Sequence, residues 1–172
     1  MIEPLRILHT PIGRLRARAD KSRLLELEFL TFSRSSESQK KSRAPTLSSS
    51  GSAILDDLER QLSEYFAGNR RHFTIPLRLD PNSSTSFQRA AWRALQTIPY
   101  GQTLSYRDQA AKIGHPRAIR AVGLANGANP FPILIPCHRV IRADGSPGGY
   151  AGGLPIKNAL LTLERTFSEG QG

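Results

Sequence analysis

The sequence predicts an α+β chain in which a small strand-and-helix domain precedes a mostly helical domain containing a helix-turn-helix. Three observations predict it. Apolar and polar residues alternate from about Leu5 to Leu30, apolar residues recur at helical spacing through much of the second half, and two short helical stretches there flank a glycine turn.

The elements follow in order. Thr10-Pro11-Ile12-Gly13 and Asp20-Lys21-Ser22 break the first stretch into a meander of short strands. Ser33 to Ser52 loses all periodicity and reads as a flexible, Ser-rich, basic insertion. Ser52 caps a helix over 53–67, with Ile54, Leu55, Leu58, Leu62 and Phe66 in one stripe and Gly68 as its stop. His72 to Leu79 reads as a further strand. The expected division is 1–80 for the first domain with 33–52 inserted, 81–85 as linker, 86–167 for the second domain and 168–172 as a tail. No chemical motif stands out in the first domain.

In the second, Thr85 and Gln88 have capping-box spacing before a helix carrying Phe87, Ala91, Trp92 and Leu95. Helices over 105–113 and 117–126 then flank Gly114-His115-Pro116. The second of these is thin, through Ala118, Ala121, Gly123 and Ala125, with Arg117 and Arg120 at its start. Arginines beside small residues suit entry into a DNA groove, and Arg120 is the candidate for insertion into the base stack. Close packing on a neighbouring helix is the competing account. Phe131 to Ile135 reads as a strand whose end carries Cys137 to the edge of a cleft. Five glycines around Tyr150 suit a loop whose backbone comes close to a ligand, and Pro155 opens a last helix with Ile156, Leu160, Leu161 and Leu163 inward.

The formal charge of +10, with arginine far outnumbering lysine, points to nucleic acid as partner. The single cysteine excludes an intramolecular disulfide and a multi-thiolate zinc site, and favours a reducing compartment: the cytoplasm, or the nucleus in a eukaryote. No apolar run is long enough to span a bilayer. No cofactor or metal is expected. Cys137 could be a small buried hydrophobe, but His138 directly after it supplies a base, and Glu164 could orient that histidine.

From about Phe87 to Glu164 the chain resembles the O6-alkylguanine-DNA alkyltransferases, also called methylated-DNA-protein-cysteine methyltransferases. Ser105-Tyr106, Arg120-Ala121-Val122-Gly123, Asn129-Pro130 and Pro136-Cys137-His138-Arg139-Val140 carry the resemblance. It implies that Cys137 takes the alkyl group from O6 of a guanine flipped out of double-stranded DNA. His138, through a water, and Glu164 would deprotonate the thiol, with Asn129 holding the network. Arg120 would fill the gap left by the base, and Tyr106 would press on the backbone and bond the guanine. Ala121, Gly123 and Asn126 would join them at the DNA. Pro136, Val140, Tyr150 and Ala151 would form the base pocket, with Ala151 standing where many relatives have serine. A thioether is not reversible by anything in the chain, so each molecule, a monomer with clustering on DNA left open, would react once. O4-alkylthymine is a secondary candidate substrate. A non-catalytic lesion-binding or regulatory helix-turn-helix protein and a thiol hydrolase are the alternatives.

Overall fold

The structure, a computed structural model, describes residues 3–30, 52–80 and 82–170. The insertion expected at 33–52 lies, except for Ser52, outside the described residues.

Three antiparallel strands, β1 (Leu5–Thr10), β2 (Gly13–Ala19) and β3 (Leu24–Leu30), form a sheet in sequence order. Period-two alternation sets its faces. Leu15, Ala17 and Ala19 point inward and are fully buried, while Arg16 and Arg18 point outward to Glu26, Glu28 and Glu3. Helix α1 (Ala53–Phe66) covers the inner face with Leu55, Leu58, Leu62 and Tyr65, begins at the Ser52 cap and ends before Gly68, whose φ is 78°.

The expected strand at 72–79 does not form. Only Leu77 bridges to Leu24, because Pro76 has no N–H to donate to a ladder.

Helix α2 (Ser86–Gln96) starts at the expected capping box, with both Thr85 and Gln88 side chains bonded. The two-residue strand β4 (Leu104–Ser105) leads into α3 (Tyr106–Lys112), and the turn at Gly114 (φ 80°) leads to α4 (Ile119–Gly127). Trp92 Nε1 donates to the Ala125 carbonyl at 2.8 Å, and the Gln109 and Asn126 amides bond reciprocally at 2.9 and 2.8 Å. The helix-turn-helix is thereby fixed on α2.

Residues 131–135 are a turn and not the expected strand. Pro130, Pro132 and Pro136 remove ladder donors, Ile133 has a φ of 73°, and Ile135 N bonds back to the Phe131 carbonyl at 2.9 Å. A single 3-10 turn (Cys137–Arg139) follows, then β5 (Val140–Ile141) pairs parallel with β4. The last helix, α5 (Leu154–Glu169), begins with proline in its first turn. One apolar cluster runs from Leu8 and Leu15 of the sheet through Tyr65 and Trp92 to Phe131, Val140 and Leu160, so the two halves share a core. No helix among the described residues is long and apolar enough to cross a membrane.

Candidate active site

Cys137 sits at the floor of a cleft of about 600 Å³. Tyr106 from α3, Ile119, Arg120, Gly123, Asn126 and Gly127 from α4, and Arg142, Gly148, Gly149, Tyr150 and Ala151 from the glycine loop form its walls. Cys137 is 7% exposed, and its thiol receives a hydrogen bond from Asn129 Nδ2 at 3.2 Å. The same amide donates to the Ile135 carbonyl at 2.7 Å, and Asn129 Oδ1 accepts from Phe131 N at 3.0 Å. Asn129 therefore fixes the turn that presents the sulfur. Burial pushes the Cys137 thiol above its ordinary value, against the pull of the Asn129 bond and the charge of Lys157.

Behind the cysteine lies a buried carboxylate, 1% exposed, which ordinary residue statistics would place on the surface. Glu164 Oε1 accepts from His138 Nε2 at 2.7 Å, from Tyr65 Oη at 2.7 Å and from Arg139 Nη2 at 2.9 Å. Its Oε2 accepts from Arg139 Nε at 2.8 Å and from Gly101 N at 3.2 Å. Burial alone would raise this carboxyl. The hydrogen bonds from His138 and Arg139, together with the Arg139 charge, outweigh it and hold the group well below the usual carboxylate range. Burial pushes His138 down, against the pull of Glu164, so the ring rests neutral. With Nε2 donating to Glu164, Nδ1 carries the free lone pair, and among the described residues it has no hydrogen-bond partner.

The sequence-named residues divide by position. Tyr106, Arg120, Gly123, Asn126, Cys137, Tyr150 and Ala151 line the cleft, and His138, Glu164 and Asn129 stand behind the sulfur. Ala121 is on the exposed side of α4, outside the cleft. The Asn126 amide is locked to Gln109 and buried, which leaves it a helix-pairing role instead of a free DNA donor. Pro136 faces a separate hollow with Arg139, and Val140 is fully buried outside the cleft lining. The Val140 carbonyl accepts from Lys157 Nζ at 2.6 Å.

Several side chains packed into the site escaped sequence reasoning. Arg139 is buried, grips Glu164 and the Ile98 carbonyl (2.7 Å), and lies over the Tyr100 ring. Lys157 is fully buried, also donates to the Gly149 carbonyl at 3.2 Å, and is pushed down to about 8 by burial, while ionisation of Cys137 favours its charge. Lys157, Leu160 and Glu164 share one face of α5, so the inward stripe was visible as spacing but hidden by charge. The first domain, which shows no motif, supplies Tyr65 to the carboxylate and Phe29 against Tyr150, with ring centroids 5.9 Å apart.

Comparison with known proteins bears on both halves. The family model described as 6-O-methylguanine DNA methyltransferase, DNA binding domain, matches residues 86–166, and the one described as 6-O-methylguanine DNA methyltransferase, ribonuclease-like domain, matches residues 5–79. A methylated-DNA-protein-cysteine methyltransferase of Methanosarcina barkeri is 43% identical over 92% of this chain and 94% of that protein. One from Mycolicibacterium paratuberculosis is 57% identical, the match spanning 63% of this chain and 64% of the relative. The crystal structure of a Mycobacterium tuberculosis protein of this kind in complex with DNA is 40% identical, with a TM-score of 0.77 over 95% of this chain and 93% of that one.

Proposed function

The chain belongs to the 6-O-methylguanine DNA methyltransferase family, and from that premise we propose that Cys137 accepts an alkyl group from O6 of guanine in DNA. The protein is a methylated-DNA-protein-cysteine methyltransferase, a repair enzyme that reverses alkylation directly and whose partner is DNA. One observation carries the assignment of the acceptor. The chain has a single cysteine, and it lies at the floor of the cleft bounded by the helix-turn-helix.

The resting thiol is protonated and the imidazole neutral, since burial disfavours charge on both. His138 Nδ1 takes the thiol proton through a water, and Glu164 stabilises the imidazolium that results. Ionisation itself gains little: an ordinary thiol is already a few per cent thiolate, so full ionisation is worth on the order of tenfold, about 1.4 kcal/mol. In-line placement and stabilisation of the leaving base carry the larger share. The sulfur lone pair forms the S–C bond as C–O6 breaks, the electron pair moves onto the guanine, and the proton held on His138 balances that charge. The Tyr106 hydroxyl and the Ala151 amide at the cleft wall are the donors for the departing base. Arg120, which also lines the cleft, fills the space the flipped nucleotide leaves. The thioether has no route back, so a monomer reacts once, in a reducing compartment, and needs no cofactor.

Intact mass and peptide mapping after incubation with duplex DNA holding one O6-methylguanine test this reading. A gain of one methylene on the Cys137 peptide, with yield limited by protein, is expected. Cys137→Ser should keep duplex binding and lose transfer; transfer by that variant, or an unchanged wild-type mass, would refute the assignment.

A further inference from the structure

Among the described residues, the large exposed apolar side chains include two on α4, Ile119 at 39% and Leu124 at 77% exposure. A lone exposed leucine is ordinary on a protein surface. Leu124 differs in its surroundings. It lies four residues after Arg120 and therefore on the same side of the helix, about 6 Å further along the axis. Its exposed neighbours on that side, Ala121, Gly127 and Ala128, are small, so the leucine stands out from the helix by itself. The side is continuous with the cleft, since Arg120, Gly123 and Gly127 line both. It also carries one sign of charge: from Gly114 to Pro136 the sequence has Arg117 and Arg120 and no acidic residue. A protein partner would find little to grip around a single leucine, whereas a polyanion matches the charge.

We propose that Leu124 is a second duplex contact, an apolar side chain that enters the DNA groove about two nucleotides from the position Arg120 occupies, at the 3.4 Å spacing of nucleotides along a strand. The proposal rests on Arg120 facing DNA as assigned above. Leu124 packs against sugar and base edges there and removes its own surface from water. It makes no ionic contact, and this separates it from the arginines. Loss of a phosphate contact flattens the dependence of affinity on salt, whereas loss of an apolar contact lowers affinity equally at every salt concentration.

The test is duplex affinity across a salt series for wild type, Leu124→Ala and Arg120→Ala, on undamaged and O6-methylguanine duplex, together with the rate of reaction with free O6-alkylguanine. Alanine at an exposed helical position keeps the fold and raises helix propensity. Leu124→Ala should bind both duplexes roughly tenfold more weakly. Its salt slope should match wild type, and its rate on the free base should be unchanged. An affinity equal to wild type overturns the proposal, as does a loss that comes with a flatter salt slope or an equal loss on the free base. Because binding is read on undamaged duplex as well, the Leu124 contact stands or falls separately from alkyl transfer to Cys137.

Discussion

Glu164 shows how much chemistry one side chain can organise once it is buried. Its two oxygens accept from Tyr65, from the adjacent His138 and Arg139, and from the Gly101 amide, drawn from three separate parts of the chain. Removing the charge leaves the Arg139 guanidinium buried without its counter-ion, so Glu164→Gln should cost about 3–5 kcal/mol at neutral pH by chemical denaturation. The sign of the pH effect follows from the direction of the shift. A carboxyl held below its unfolded value stabilises the fold above that value and loses the contribution as pH falls through the folded one. The gap between wild type and variant should thus narrow as pH drops below about 4.3, the unperturbed value. A gap that stays constant into acid would mean that Glu164 is not ionised in the fold. Sequence reading reached Cys137, His138 and Glu164 as a set, but not Arg139, Lys157 or Tyr65. A charged residue or a tyrosine carries no mark of burial until its partner is known, and those partners lie 25, 17 and 99 positions away.

At the scale of elements, the helices were legible because their ends carry local chemistry. Ser52, Thr85 with Gln88, Ser105 and Gly114 each act within a few residues of themselves. The segments at 72–79 and 131–135 were misread as strands because apolar content outweighed their prolines, and because a positive φ at the β-branched Ile133 has no sequence signal. Such a conformation costs on the order of 1–3 kcal/mol and persists here because Asn129 and the Ile135–Phe131 bond close the turn around it. The glycine loop also depends on conformation. Gly148 has a φ of 70°, and a Cβ there would come within 2.9 Å of the Tyr106 ring and hydroxyl. Gly145 has a φ of 86° with nothing within 4 Å. Gly148→Ala should therefore slow alkyl transfer well beyond Gly145→Ala, since both strain the backbone and only the first displaces Tyr106. Equal single-turnover rates for the two variants would remove Gly148 from the site's construction.

For the whole molecule, the two halves matched by separate family descriptions are joined by one apolar cluster and by the Tyr65–Glu164 bond. Thermal or denaturant unfolding should give coincident far-UV and near-UV transitions. Two resolved transitions would show that the shared core does not couple the halves. The sequence suggested a boundary near 81–85 from its turn residues, and composition could not reveal that the core crosses it. The parallel pair β4–β5 has a wider consequence. Ser105 caps α3 while sitting opposite Ile141, so a hydrogen-bonded rung ties the start of the helix-turn-helix to the strand that leaves the cysteine turn. The part that touches the duplex and the part that performs the substitution are thereby one tool with a fixed spacing. With that spacing fixed, the travel that brings carbon to sulfur falls to the nucleic acid, so repair should run faster on duplexes that extrude the nucleotide more easily.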